Sequence, residues 1–227
     1  SYGVKQGLRR FLIVHENDVA GQLGGAAIEG AIARNRGTMV GKTGHGLSRA
    51  EMDAIAPTIA RAAAQNQAQA LFLTGNHAEA LPEITAALAN AGVSSRSIQL
   101  MGLTRWDVPA SRAGLPQLQN GWFAVPDLGR MAAFNARYRA AYGENPHDFA
   151  TLAYDGVSAI AANVRAGRAN AVTTAGLTRG AGFAGIQGPF RLRPDGSNQR
   201  QLSVATLQGG KLVVIDPARS SFGGFGF

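Results

Sequence analysis

Apolar, β-rich runs recur along this chain about every thirty residues, with a helical pattern between each pair. This alternation constrains the fold more than any other feature. Parallel strands in one sheet need long crossovers, and a helix is the usual one. The runs are Phe11–Val14, Met39–Lys42, Ala70–Thr74, Ile98–Gly102 and Trp122–Val125. The first helix is expected from about Asp18 to Arg36, closed by Gly37 at its C′ position, with Leu23, Ala27, Ile28, Ala31 and Ile32 as its apolar stripe. The second opens with the capping box Ser48-Arg49-Ala50-Glu51 and runs through Met52, Ile55 and Ile59, with Pro57 expected to kink or restart it. The third covers about Ala78 to Ala91, ends at Gly92, and turns Leu81, Ile84 and Leu88 toward the sheet. No stretch between these units is long enough to be a linker.

After residue 126 the pattern changes. "LGRMAAFNARYRAAYG" reads as an amphipathic helix closed by Gly143, and "PHDFATLAYDGVSAIAANVRAG" as a more apolar one with Pro146 at its start. A short helical stretch near Ala171–Leu177 follows. Alternation then sets in at Phe190/Leu192 and Leu202/Val204/Thr206, and a Gly209-Gly210 turn leads to Leu212–Ile215, so an antiparallel meander is expected. The tail "SSFGGFGF" has no partner pattern and reads as poorly ordered or docked in a crevice.

The chain of 227 residues is long enough for one large domain or two small ones, and 45% hydrophobic with 16% charged residues is an ordinary globular balance. No apolar run approaches the roughly 20 residues that span a bilayer. The chain opens on "SYGVKQGLRRF" without an initiator Met, which reads as a fragment or mature segment whose upstream part is absent. The net charge of +8 comes mainly from single arginines such as Arg34, Arg36, Arg49, Arg61, Arg112, Arg130, Arg137 and Arg139. Nucleic-acid binders cluster such charge with aromatics on one face, so no nucleic-acid partner is expected. A solvated basic surface is the simpler reading, and affinity for an anionic partner is the other. With no cysteine, disulfides and thiolate metal sites are excluded.

The opening strand, turn and helix, with Gly21, Gly24 and Gly25, has the outline of a phosphate-binding βα unit. Its spacing is wrong, because the dinucleotide fingerprint needs glycines in the turn, where Glu16 and Asp18 would repel phosphate. Helix–sheet packing explains these glycines better, with Gly24 and Gly25 placed where helix and sheet cross. The histidines His15, His45, His77 and His147 form no metal-binding helix pattern, and there is no Gly-x-Ser-x-Gly elbow. Glu16 and Asp18 share one turn and are expected to stay solvated and ionised. No catalytic residue, metal or cofactor is therefore expected.

Three stretches carry a family resemblance: "GLRRFLIVHENDVAG", "FNARYRAAYGENPHDFATLAYDGV" and "GFAGIQGPFRLRPDG". The second is the most specific, since a helix, a Tyr-Gly-x-x-Pro break and an Ala-Tyr-Asp helix follow in fixed order. Together they resemble the type I periplasmic solute-binding family, branched-chain amino-acid-binding class. "LMGLTRWDVP" and "VVIDPARSSF" are most similar to its penicillin-binding protein activator branch. The resemblance implies an α/β fold: a parallel three-layer α/β/α sheet of the type I lobe, with helices of the other lobe and a C-terminal antiparallel meander. Residues 8–126 would be the second lobe, 127–180 the helical part of the first, 181–216 the meander returning to the second and 217–227 the tail. The N-terminal lobe's sheet would lie outside the chain. The face of Phe149, Leu152, Ala153, Val157 and Ile160 would then be uncovered, and self-association is expected there.

By the same resemblance the protein is a non-catalytic periplasmic ligand-binding protein of an ABC transporter. It would hold a small ligand between two lobes and work with a membrane permease, its signal or lipoprotein segment lying outside this chain. The alternative is an interaction protein that activates a penicillin-binding protein in peptidoglycan synthesis. Ligands of parallel α/β sheets bind beyond the carboxyl ends of the strands. There the candidates are Asn17 and Asp18, Asn76 and His77, and Thr104, Arg105 and Trp106. Asn17 or Asp18 could simply cap the first helix, Asn76 could cap the third, and Trp106 could be a core aromatic. His77 and Arg105 have no structural role visible in the sequence. Amino-acid-binding members of the family carry aromatics and an ammonium-pairing acid at these strand ends. This chain has Ala20, Asn76 or His77, and Thr104 there, so an ammonium would find no buried countercharge. Arg105 favours an anionic ligand or none.

Overall fold

The computed structural model describes residues 1–75, 77, 79–147 and 149–222. Five strands alternate with helices as the sequence period requires: β1 (Arg10–Glu16), β2 (Thr38–His45), β3 (Ala70–Leu73), β4 (Gln99–Gly102) and β5 (Trp122–Val125). They pair in parallel as β1 with β2, β1 with β3, β3 with β4 and β4 with β5. Phe11 to Val14 are all buried, as expected for a parallel strand whose two faces are both covered. The antiparallel C-terminal strands divide between two sheets. β6 (Phe190–Leu192) and β7 (Asn198–Arg200) pair by themselves. Their connection closes locally, with Gly196 at φ +80° and Asp195 Oδ1 accepting from the Ser197 N–H at 2.9 Å. β8 (Ser203–Gln208) and β9 (Lys211–Asp216) join the large sheet, whose order among the described residues is β2-β1-β3-β4-β5-β8-β9.

After a first short turn, α1 (Tyr2–Lys5), α2 (Val19–Arg34) starts at Asp18, whose Oδ1 accepts from the Gly21 N–H at 2.6 Å. That cap fixes which face of α2 turns inward. Gly21, Gly25, Ile28 and Ile32 are buried, whereas Leu23 and Ala27 of the expected stripe are exposed. The stop also shifts by one residue. Arg36, not Gly37, takes the left-handed φ of 60°, and the Gly37 N–H closes on Ile32 O at 2.9 Å, a Schellman ending. Gly21 packs most tightly of the three glycines, and Gly24 packs closely as expected, a Cβ there standing 3.1 Å from Thr74 Cβ. A Cβ on Gly21 would collide with the Glu16 backbone, while one on Gly25 would meet the flexible Lys42 side chain at 3.3 Å and His15 at an ordinary 3.7 Å.

α3 (Arg49–Gln65) begins with both hydrogen bonds of its capping box and passes through Pro57 as one helix. Pro57 lies on the exposed side, where the carbonyl it leaves unpaired can turn to water. α4 (Ala80–Asn90) starts later than expected, with Glu79 at the N-cap position and no side-chain cap; Asn76 and Ala78 lie outside the described residues. Its Leu81, Ile84 and Leu88 are buried, and Gly92 takes φ +87° at C′ as expected.

Two compact units result. One is Ser1–Ala124 with Val204–Asp216; the other is Val125–Ser203 with the described residues from Pro217. The second unit holds α5 (Leu128–Tyr142), α6 (Ala150–Arg165), α7 (Thr174–Leu177) and the β6–β7 pair. Gly143 ends α5 at φ +78°, but Pro146 stands outside α6, whose N-cap position is Phe149. α6 buries Thr151, Asp155, Ala159 and Asn163, one residue per turn and three of them polar. Its apolar residues Leu152, Val157 and Ile160, with Phe149 at the cap, are exposed. No helix among the described residues is long and apolar enough to cross a membrane.

Candidate functional site

The strand order creates one special place in the first unit. The chain steps from β1 outward to β2, then returns to the other side of β1 to lay down β3. At such a reversal the connections leave on opposite faces of the sheet and open a crevice at the carboxyl ends of the strands, the usual ligand position in open α/β sheets. The carboxyl ends of β1 and β3 carry Glu16, Asn17, Asp18 and His77. Thr104 and Arg105 follow the adjoining β4.

Hydrogen bonds tie these loops together. Thr74 Oγ1 donates to Gly21 O at 3.0 Å and joins the end of β3 to the first turn of α2. Thr104 Oγ1 donates to Gly75 O at 3.3 Å and joins the end of β4 to that of β3. Asn17 donates its backbone N–H to His45 O at 2.9 Å, which anchors the β1 end to that of β2.

Glu16 departs from expectation. It is 0% exposed, not a solvated turn residue, because its side chain points inward at the end of the most enclosed strand. Its carboxylate accepts from the His77 backbone N–H at 3.2 Å and approaches His77 Nδ1 at 2.9 Å. A Cβ on Gly75 would stand 3.2 Å from Glu16 Oε1, so the loop after β3 passes close over the carboxylate. Asp18 caps α2 with Oδ1 and holds Oδ2 3.6 Å from His77 Nδ1. The hydrogen bond to Glu16, then its charge, raise the His77 pKa above the ordinary imidazole value, and Asp18 adds to this. Ligating atoms of Glu16, Asp18 and His77 lie within 4.8 Å of one another, an arrangement able to take a metal ion that the isolated histidine spacing did not suggest.

The other candidates divide. Thr104 is partly exposed beside this cluster. Arg105 is committed to its neighbour, with Nε donating to Asp107 Oδ1 at 2.9 Å and Nη2 paired with Oδ2. Its charge is therefore largely compensated before any anion arrives. Trp106 is a core aromatic, 1% exposed and stacked on Phe123 at 5.6 Å between centroids. Its indole fills the space left by Gly102 and Gly121, where any Cβ would collide with the ring. Asn76 lies outside the described residues. Glu16 is the residue that sequence reasoning missed. Its position two residues after four consecutive apolar residues of a central strand was the available signal.

The second unit contains a cavity of about 510 Å³ lined in part by Arg191, Gln199, Gln201, Arg219 and Phe222. Arg191 there is held by Gln199 Oε1 at 2.9 and 2.7 Å. None of the strand-end candidates lines it, and the strand reversal makes the first unit's crevice the stronger site.

The family model described as periplasmic binding protein matches residues 1–211. A putative branched-chain amino acid ABC transporter protein from Rhodospirillum rubrum is similar in structure, with a TM-score of 0.73 and 18% identity over 94% of this chain and 62% of that one. An R. palustris ABC transporter solute-binding protein in complex with benzoate has a TM-score of 0.60 and 21% identity over 96% of this chain and 62% of its own. A Desulfitobacterium hafniense ABC transporter substrate-binding protein in complex with Leu has a TM-score of 0.61 and 16% identity over 94% of this chain and 62% of its own. At these identities the likeness establishes the fold, and this chain spans about three-fifths of the length of each such structure. No curated protein matches the chain.

Proposed function

Because the chain belongs to the periplasmic binding protein family, we propose that it is a non-catalytic solute-binding component of an ABC transporter, acting in the periplasm with a membrane permease. The observation that supports this most is the grouping of Asn17, Asp18, His77 and Thr104 around the strand reversal, where an open α/β sheet takes its ligand. Arg105 stands at the edge of this group as a charge already paired with Asp107.

The solute we assign is a small carboxylate without an ammonium group, its anionic end lying on the Thr104–Arg105 side of the crevice, away from Glu16 and Asp18. Glu16 is a buried carboxylate at the strand ends, yet it is enclosed and engaged by His77, so a ligand ammonium could not reach it without displacing that partner. An ammonium desolvated without a countercharge costs several kcal/mol. The benzoate held by the similar R. palustris protein belongs to the assigned chemical class. The alternative, activation of a penicillin-binding protein, finds no support in the family model or in the similar structures. The exposed apolar face of α6 is where we place self-association.

Thermal shift with a panel of benzoate, leucine and valine tests the assignment. A cognate carboxylate at a hundred times its dissociation constant should add about 2.7 kcal/mol, and Thr104→Trp should abolish the gain by filling the crevice. A leucine or valine shift that Thr104→Trp removes would overturn the solute class. A carboxylate shift indifferent to Thr104→Trp would overturn the location.

A further inference from the structure

We propose that Glu16, Asp18 and His77 form a binding site for a divalent transition-metal ion, with Zn²⁺ and Mn²⁺ as the ions that best suit its donors. This goes beyond solute binding and does not depend on it. Two carboxylates and one imidazole give a mixed oxygen and nitrogen set of the kind that holds zinc, manganese or ferrous iron. Calcium asks for six to eight oxygens, which this cluster does not offer.

The two donor separations that involve His77 fit such an ion. With bonds of about 2.1 Å, donor separations of 2.9 Å (Glu16 to His77) and 3.6 Å (Asp18 to His77) subtend angles of roughly 90° and 120° at a central ion. These values lie in the octahedral-to-tetrahedral range. The three donors lie within 4.8 Å of one another, and an ion would draw the two carboxylates together by removing their mutual repulsion.

The supporting shell is already in place. Glu16 is fixed by burial and by the His77 backbone N–H, and Asp18 is fixed by its helix-capping bond through Oδ1, which leaves Oδ2 for the ion. Such outer contacts orient ligands and maintain affinity. His77 is about half exposed, so the ion would keep an open coordination position toward solvent. The competing role for His77 is that of a simple ion-pair partner for the two acids. It predicts the same apo contacts but no ion.

Titration calorimetry on chelator-stripped protein, with Zn²⁺, Mn²⁺ and Ca²⁺ added separately and no solute present, separates the two. One Zn²⁺ or Mn²⁺ per chain is expected, with Ca²⁺ far weaker. Asp18→Asn keeps a good N-cap residue and His77→Gln keeps an N–H donor for Glu16, and a cooperative melt of each without metal checks that it is folded. Each should weaken Zn²⁺ or Mn²⁺ binding by at least about tenfold. Cobalt substitution should give a visible absorption band that both variants lose. Binding unchanged in both variants, binding lost instead in the remote His147→Ala, or no binding at millimolar ion would each overturn the site. Any of these results would leave the solute-binding reading untouched.

Discussion

The helices of the first unit and α6 of the second are built on opposite plans. α3 turns Met52, Ala56, Ile59 and Ala63 inward, and α4 turns Leu81, Ile84 and Leu88 inward, the ordinary apolar stripe of a helix lying on a sheet. α6 has an apolar face of equal quality but buries the other one. Its inward positions are tied by directional bonds. Asp155 Oδ1 accepts from the Ile186 N–H at 2.7 Å, and Asp155 Oδ2 pairs with Arg200 Nη1 at 2.7 Å. Asn163 Nδ2 donates to Ala171 O and Gly176 O at 3.0 Å each, and Thr151 Oγ1 accepts from Gln187 at 2.7 Å. The lesson is that periodicity identifies a helix's apolar face without saying which face is covered. In the first unit burial of apolar surface positions the helices, and in the second a polar network positions α6.

The largest test of this contrast is Asp155→Ala. It leaves Arg200, whose side chain is largely enclosed, without its carboxylate, and breaking a buried pair from one side costs about 3–5 kcal/mol. Val157→Lys, on the outward face of α6 and 68% exposed, should stay within about 0.5 kcal/mol of the parent. Urea unfolding of both variants decides the matter. Equal losses would mean that α6 is held by its apolar face after all. Sedimentation across a concentration series sharpens the result, since Val157→Lys should reduce association of the parent chain.

The next effect in size lies at the start of α2. Gly21→Ala drives a methyl into the Glu16 backbone, which cannot yield as a side chain can, so a cost of about 1–3 kcal/mol is expected. Gly25→Ala presses only on the end of Lys42, touches His15 at ordinary contact distance and gains helix propensity, so it should be neutral or mildly stabilising. Thermal denaturation of the pair is the check. A larger loss at Gly25 would restore the expectation that the helix–sheet crossing is centred there.

Much of this was legible in the sequence. The five parallel strands, the Asp18 cap, the Ser48–Glu51 capping box and the Gly92 and Gly143 stops all follow from local rules, and local rules act on neighbours in the chain. What escaped depends on contacts distant in sequence. The burial of Glu16 requires the loop carrying His77, sixty-one residues away, and the strand reversal requires knowing on which side of β1 the chain lays β3. Trp106 is a core residue because Gly102 at the end of β4 and Gly121 just before β5 leave it room, a pairing that no local window contains. The exposed apolar face of α6 is an expectation of the sequence, whereas the polar network that holds its other face is not, since Arg200 and Ile186 lie beyond its own segment.

The smallest expected effect separates the two helix types at their first turns. α3 carries its own cap, whereas α6 has Phe149 at the N-cap position and no side-chain cap. The hydrogen bond from Ser48 holds the Glu51 carboxyl below its ordinary value of 4.5, with backbone and His45 contributions in the same direction. A carboxyl whose pKa is depressed by folding stabilises the protein above its unfolded value and loses that contribution as pH falls through the folded value. Glu51→Gln can keep the reciprocal capping bond but cannot titrate. Its melting temperature should therefore lie slightly below the parent's near neutrality and fall less steeply than the parent's once the pH drops below about 4.5. Because Glu51 is exposed, the difference between the two acid limbs should be small. Superimposable limbs would show that the α3 cap contributes nothing to acid sensitivity and that α3, like α6, is held by its buried face alone.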